Sequence, residues 1–281
     1  MIKAENTETD FEILLSTMNR TSFSFLEEMF PNDTHLNYNI LIINQISKGK
    51  NLKSEFNNIR IINSYEKGLS RSRNLAMGNA KGSICLFADD DVKYKSGFKE
   101  IILNAFKVYD DAGVVTFQMT DDKGELFKEY PNVVKHNKRT INTVNSVVIA
   151  LNRKKVIENN IFFNKNFGLG STFETADEYI FLRSVLRKEM KIYFEPKILL
   201  EHPNFSSGSA VASDKILYAR SAVFYKYNGV ITYLKLGWYL FLLIKNNKIK
   251  SNQFIKKYKQ GLKGIKEYKS LLNKGVETIE S

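Results

Sequence analysis

The sequence predicts an α/β protein with a mixed, mainly parallel sheet flanked by helices, followed by a helical C-terminal extension. Short runs rich in Ile, Leu, Val and Phe recur through the first third of the chain, with helix-like segments between them. From about residue 213 the composition changes to Tyr, Leu, Ile and Lys with few acids. We therefore expect a main domain in residues 1–212 and an extension in residues 213–281.

Four apolar runs predict short buried strands, at residues 11–16, 39–44, 59–63 and 83–88. Residues 22–30 and 70–80 read as helices between them. Further strand-like runs occupy residues 114–119, 143–150 and 197–200, and residues 152–159 read as a short helix. Ligands of such a sheet gather beyond the carboxyl ends of its strands, so the residues after each run are candidate site residues.

Three consecutive carboxylates, Asp89, Asp90 and Asp91, directly follow the fourth run. Their mutual repulsion is costly unless a cation offsets it, and hard oxygen ligands favour Mg²⁺ or Mn²⁺. Such an ion commonly completes its coordination shell with substrate phosphates. An acidic turn or helix cap is the structural alternative.

A glycine turn opens the helix upstream of these carboxylates. Gly68 is followed by Arg71 and Arg73 in the first turns of that helix. Helix N-termini and guanidinium groups both bind phosphate, although the two arginines would equally suit a solvated helix face.

Taken together, residues 16–20, 68–74 and 87–91 resemble the family 2 glycosyltransferases in order and approximate spacing. The resemblance continues through residues 162–170 and the acidic segment 177–183, and covers roughly residues 11–208. It implies a GT-A catalytic domain that moves a sugar from a nucleotide diphosphate, expected to be UDP, to a hydroxyl with inversion.

The resemblance also implies roles for individual residues. Those expected to bind the nucleotide sugar are Thr17, Asn19, Arg20, Gly68, Arg71, Arg73, Asp89 and Asp90. Metal binding is expected chiefly at Asp91, with Asp89 and His202. For His202 the alternative is a structural hydrogen bond at a strand exit.

The expected base that deprotonates the acceptor hydroxyl is Glu178. Asp177 and Glu174 are the reserve candidates, because this chain has Asp-Glu where the family usually has Glu-Asp. Acidic residues at a helix N-terminus also have a purely structural explanation. Asn145 and Ser146 are expected to contact the acceptor.

A second departure from the family pattern concerns nucleotide selectivity. Asn44 and Gln45 stand after the second strand, where many relatives carry an aspartate that helps to recognise the base. The choice of nucleotide therefore stays open.

The net charge indicates an anionic partner, because the chain has 42 Lys and Arg residues and 30 Asp and Glu residues, which gives +12. Aromatic residues in 229–249 and lysines in 254–272 suit a helix on an anionic membrane surface. The equal alternative is that these helices pack on the catalytic domain with the lysines in solvent. A membrane surface would fit a lipid-linked acceptor, as in capsule or O-antigen synthesis by such relatives.

Other classes of function compete with the transferase. A nucleotidyltransferase would share the α/β architecture but needs no acidic acceptor-side motif. A basic lipid-binding or nucleic-acid-binding protein would share the charge, but no zinc ligands or RNA motif accompany it, so no nucleic-acid partner is expected. The sequence leaves open whether the chain forms a homo-oligomer.

The protein is expected in the cytoplasm. Peripheral attachment to the inner face of the plasma membrane is a further, separate expectation. Residues 1–10 lack the order of a secretory signal, and no apolar stretch reaches the ~18 to 20 residues of a spanning helix. Cys85, the single cysteine, excludes an internal disulfide and reads as a core residue. His35 and His136 read as surface or loop residues.

Overall fold

The computed structural model describes residues 9–47, 51–203 and 212–280. The chain divides into two compact units, one of Met1–Asn164 with Glu178–Asn204 and one of Lys165–Asp177 with Phe205–Ser281. Most of the N-terminal segment assessed for a secretory signal, and the end of the family resemblance near residue 208, lie outside the described residues. The boundary expected near residue 213 stays a prediction.

Within the described residues of the first unit, eight strands form one sheet in the order β3-β2-β1-β4-β7-β6-β8-β5. The strands are β1 (Thr9–Met18), β2 (Ile40–Gln45), β3 (Ile59–Ser64), β4 (Gly82–Asp89), β5 (Lys93–Tyr94), β6 (Ala112–Thr120), β7 (Ile149–Asn152) and β8 (Lys191–Glu201). β1 to β4 pair in parallel, as do β6 and β8, whereas β7 and β5 run antiparallel to their neighbours. The mixed, mainly parallel sheet predicted from the sequence is confirmed.

Helices flank this sheet, and its two faces bury separate apolar clusters. The helices are α1 (Ser24–Met29), α2 (Leu69–Asn79), α3 (Phe98–Val108), α4 (Arg153–Glu158) and α5 (Asp177–Arg187). Successive strand residues point to opposite faces, so Ile13 and Leu15 of β1 join one cluster and Leu14 joins the other. Cys85 is fully buried in the second cluster, as expected, and burial raises the pKa of its thiol.

The strand predicted over residues 143–150 is wrong for residues 143–148. Residues Thr140–Thr143 and Ser146–Val148 form 3-10 turns, and β7 begins only at Ile149. The Thr143 hydroxyl donates to the Thr140 carbonyl at 2.9 Å. Such local hydrogen bonds compete with a strand ladder, and apolar periodicity does not reveal them.

His136 lies in a loop, one of the two settings expected for it, but its side chain is not at the surface. Its ring is buried, with Nε2 2.8 Å from the Thr116 hydroxyl and Nδ1 3.0 Å from the Thr140 hydroxyl. Burial lowers the pKa of His136 to about 4. The imidazole is therefore neutral at pH 7, which lets it exchange hydrogen bonds with two hydroxyls at little desolvation cost.

The C-terminal helices belong to the second unit: α6 (Asp214–Asn228), α7 (Thr232–Lys245) and α8 (Phe254–Asn273). The Ser213 hydroxyl caps α6 by accepting from the Ile216 amide at 3.2 Å. α8 approaches α6 so closely that a Cβ on Gly264 would lie 2.0 Å from the Tyr218 carbonyl oxygen. Among the described residues, no helix has both the length and the apolar character needed to cross a membrane.

A buried ion-pair cluster ties the end of the chain to α6. Lys226 Nζ lies 3.2 Å from Glu277 Oε2 and 2.7 Å from Glu280 Oε1. The Tyr268 hydroxyl and the Asn166 amide donate to the two oxygens of Glu277 at 3.2 and 2.7 Å. The cluster thus joins α6, α8, the chain end and the loop before α5.

Candidate active site

Asp90 is held by two donors from the end of β1. Ser16 pairs with Asp89 in the β1–β4 register, which brings the residues after both strands together. Thr17 Oγ1 donates to Asp90 Oδ2 at 2.5 Å, and Arg20 Nε donates to the same oxygen at 2.7 Å. Thr17, Arg20 and Asp90, which are all predicted to bind the nucleotide sugar, therefore form one hydrogen-bonded group.

Asp89 is held by Arg73 of α2. Arg73 Nη2 lies 3.2 and 3.3 Å from the two carboxylate oxygens of Asp89 and donates to Ser146 Oγ at 2.7 Å. The Arg73 guanidinium also lies over the Phe163 ring, 5.5 Å from its centroid. The buried Arg73 side chain thus connects Asp89, which is predicted to bind the nucleotide sugar, to Ser146, which is predicted to contact the acceptor.

The N-terminus of α2 is fixed to the ends of β1 and β2. Gly68 has φ 119° and donates its N–H to Gln45 Oε1 at 2.7 Å. A residue with a Cβ would be strained at that φ, which explains the glycine. Ser72 Oγ donates to Ser16 Oγ at 2.9 Å, and Arg71 lies half-buried on the same helix.

Asn44 and Asn19 organise the loop after β1. Asn44 is fully buried, accepts from the Arg20 amide at 3.1 Å and donates to the Arg20 carbonyl at 2.8 Å. Asn19 adopts φ 55° and accepts the Ser47 N–H at 3.1 Å. Asn44 and Gln45, which the sequence marked only as departures from the family, therefore shape this edge of the site.

Asp91 and His202 face each other, with 3.8 Å between Asp91 Oδ1 and His202 Nε2. His202 Nδ1 lies 2.8 Å from the Pro203 carbonyl oxygen. A carbonyl oxygen only accepts, so Nδ1 carries the proton, and in the neutral ring the lone pair of Nε2 faces Asp91. A carboxylate and an imidazole with the second nitrogen oriented by a carbonyl are suitable ligands for Mn²⁺ or Mg²⁺.

No group of three or more metal-ligating side chains occurs in the part of the chain that the structure describes. Asp89, the third predicted ligand, is held by Arg73 instead of joining Asp91 and His202 in such a group. Two protein ligands still fit an ion that takes most of its remaining shell from diphosphate oxygens and water. The residues present therefore fit a substrate-completed metal site, and the role of Asp89 in it stays a prediction.

Lys128 is a site residue that the sequence did not single out. Its ammonium donates to the Thr143 carbonyl and to Asn145 Oδ1. Burial lowers the pKa of Lys128 to about 8, and the nearby Glu178 carboxylate opposes that shift. In the sequence, Lys128 is one lysine in a polar segment, so only the fold reveals its position beside Asn145 and Glu178.

Asp177 and Glu178 begin α5. Asp177 is buried and falls in the second unit, whereas Glu178 falls in the first. Glu174, the other reserve base, forms a 2.8 Å ion pair with Lys215 within the second unit. Glu178 is therefore the member of this set that shares a compact unit with the other candidate residues.

The sequence profile described as "Glycosyl transferase family 2" matches residues 13–178, which is more than half of the chain. The chain belongs to glycosyl transferase family 2. The match runs from β1 to the first turn of α5 and so includes all the candidate residues except His202. No curated protein matches the sequence.

Solved structures similar to this family 2 glycosyltransferase include three of S. aureus TarS. TarS 1-349 matches at 12% identity and a TM-score of 0.55, covering 95% of this chain and 92% of that one. TarS 1-349 in complex with UDP-GlcNAc matches at 14% identity and a TM-score of 0.51, with the same coverage. Full-length TarS matches at 13% and 0.55, covering 95% of this chain and 50% of that one. These matches show that the chain has the GT-A fold.

Proposed function

We propose that this glycosyltransferase moves a sugar from a UDP-linked donor to a hydroxyl of a saccharide or lipid-linked saccharide, with inversion at the anomeric carbon. The observation that carries the proposal is the arrangement of the three aspartates at the carboxyl end of β4. Arg20 and Thr17 hold Asp90, and Arg73 holds Asp89. Asp91, with 53% of its side chain exposed, faces His202.

The donor end of the site is suited to a nucleoside diphosphate. Asp89 and Asp90 are oriented by guanidinium groups, so their oxygens are fixed for hydrogen bonds to ribose and base. The N-terminus of α2 and its arginines provide positive potential for the diphosphate. TarS, crystallised with UDP and with UDP-GlcNAc, supports the choice of UDP.

Asp91 and His202 are the residues we assign to Mn²⁺ or Mg²⁺, with Asp89 as a further candidate. When bound, the ion supplies positive charge that stabilises the departing diphosphate. The role of the two side chains is to fix that charge at the carboxyl end of β4, beside the loop that orients Asp90.

At the acceptor end, Glu178 is the proposed base and Asp177 the reserve. The acceptor hydroxyl attacks the anomeric carbon, its proton passes to a Glu178 oxygen, and the bond from the anomeric carbon to the diphosphate oxygen breaks with its electron pair on that oxygen. Lys128 fixes Asn145, and Arg73 fixes Ser146, so both predicted acceptor contacts are oriented before the acceptor binds. The role in bacterial surface polysaccharide synthesis rests on the family resemblance, and the cytoplasmic location stays the expectation stated from the sequence.

The first test measures thermal stability with nucleoside diphosphates and nucleotide sugars, with Mn²⁺, Mg²⁺ or chelator. UDP at about one hundred times its Kd is expected to add about 2.7 kcal/mol to the free energy of unfolding, and only with metal present. Asp91→Ala should lose this increment, whereas Asp122→Ala, at an exposed turn of the same unit, should keep it. A metal-independent shift, or an unchanged shift in Asp91→Ala, would overturn the metal assignment.

The second test separates the base from the donor site. Glu178→Gln should retain the nucleotide-dependent stabilisation and lose about 10²- to 10⁴-fold in kcat, because a positioned base contributes on that order. Release of UDP from UDP-sugars in the presence of saccharide acceptors measures it, with Asp177→Asn in parallel. A larger loss in Asp177→Asn than in Glu178→Gln would move the base to Asp177.

A further inference from the structure

Helix α7 is apolar on two faces, and its inner face is satisfied by packing within the second unit. Leu236, Leu240 and Leu243 follow one helical stripe and are buried. Ordinary helix packing therefore explains this half of the helix.

The outer face of α7 is apolar and exposed. Leu234 is 79% exposed, Trp238 62% and Phe241 50%, at the spacing of one helical stripe. Val230 and Ile231, in the turn before α7, are also exposed. A contiguous apolar stripe of this kind marks a binding surface, because isolated exposed side chains need no explanation whereas patches do.

A basic groove lies beside the first turn of α7. Lys266, Lys269 and Lys274 line a groove of about 680 Å³ together with Tyr233, the chain neighbour of Leu234. Residues 213–281 carry 14 of the 42 basic residues of the chain and only 4 of its 30 acidic residues. Most of the net positive charge therefore lies in the helical segment that carries the apolar stripe.

We propose that the second unit docks on an anionic lipid bilayer, with the outer face of α7 in the interfacial region and Lys266, Lys269 and Lys274 against lipid phosphates. At 14 residues, α7 is about 21 Å long, so it suits a position along the surface. Tryptophan beside aliphatic residues, flanked by lysines, matches the chemistry of the headgroup boundary. This inference is independent of the donor site.

Two other occupants fit the surface less well. A second copy of the chain would bring the same excess of lysines to the interface, and like charges would repel. Nucleic acid would match the lysines and its bases could stack on aromatic rings, but it offers little apolar surface for the aliphatic side chains of Leu234 and Ile231. A bilayer with anionic headgroups matches both features at once.

Trp238 is the only tryptophan in the chain, so its fluorescence reports on this surface directly. Vesicles of phosphatidylcholine with phosphatidylglycerol should shift the emission of the full chain to the blue, and brominated lipid should quench it. Phosphatidylcholine alone should give a much smaller effect, and high salt should weaken the binding. No shift with anionic vesicles would overturn the proposal, as would a shift that follows protein concentration or added RNA without vesicles.

Variants that keep the reporter test the two parts of the surface. Ile231→Ser with Leu234→Ser should weaken vesicle binding by at least about tenfold, since each removes apolar area from the interface. Val108→Ser with Leu126→Ser, which are also more than half exposed but lie in the first unit, should bind like the wild type.

The triple variant Lys266→Gln, Lys269→Gln and Lys274→Gln should lose the preference for phosphatidylglycerol, whereas the exposed triple Lys123→Gln, Lys138→Gln and Lys197→Gln should keep it. Thermal unfolding of each variant confirms that it is folded. Equal losses in the surface variants and their controls would contradict a specific docking face.

Discussion

Arg73 in the first unit and Lys226 in the second are both buried cations, with side chains 1% and 2% exposed. They differ in their carboxylate partners. Asp89, beside Arg73, keeps 28% of its side chain exposed, whereas Glu277 and Glu280, beside Lys226, keep 3% and 11%. A buried cation whose partner reaches solvent can orient that partner for a ligand, while one enclosed with its partners can only support the fold.

The largest effect expected from this difference is on stability, at Lys226. Lys226→Met removes the cation and leaves two carboxylates buried, which should cost about 3–5 kcal/mol of the free energy of unfolding. Denaturant titration measures the change. Lys154→Met, which breaks an exposed pair with Glu158, should cost at most about 0.5 kcal/mol. A similarly small cost at Lys226 would show that the cluster is not structural.

The sequence predicts the two regions unequally well. Runs of β-type residues identify β1 to β4, and the carboxyl-end rule identifies the residues that the fold then gathers, such as Asp89 and Asp90. The burial of Lys128 and Lys226 is not predicted in this way. A lysine in a polar segment or in a basic helix is expected to be solvated, and only the folded structure shows that distant residues enclose it. Their partners, Asn145 and Glu277, lie 17 and 51 residues away.

The turn over residues 143–148 is not predicted from the sequence for a related reason. Its conformation depends on hydroxyl and carbonyl contacts, including the one that Lys128 makes to the Thr143 carbonyl, while its apolar pattern favours a strand. Sequence patterns thus report burial and period, and they miss polar contacts between distant segments.

His136 sharpens the comparison, because it is a buried basic side chain whose hydrogen-bond partners are hydroxyls. Its folded-state pKa of about 4 lies below the ordinary value of 6.5, so the unfolded state binds more protons between those values. The free energy of unfolding should therefore fall as pH drops from about 6.5 to about 4, by up to roughly 3 kcal/mol.

Chemical denaturation across this pH range, for the wild type and His136→Gln, isolates the contribution. The variant lacks the titrating group, so its stability should change less with pH over the same interval. Parallel pH profiles of the two proteins would mean that His136 titrates normally in the folded state.

The smallest effect on stability, with the most specific effect on function, is expected at Arg73. Arg73→Lys keeps a positive charge but loses the planar group that reaches both Asp89 and Ser146. The free energy of unfolding should change less than in Lys226→Met, because Asp89 stays partly hydrated. Misplacing a donor-site carboxylate and an acceptor contact together should nevertheless lower kcat/KM by about 10²-fold.

Nucleotide-dependent stabilisation measures the effect of Arg73→Lys on the donor site, and UDP release measures its effect on turnover, with Arg139→Lys as an exposed control. If Arg73→Lys lost stability and kept kcat/KM, Arg73 would resemble Lys226, and the distinction between the open and the enclosed cation would fail.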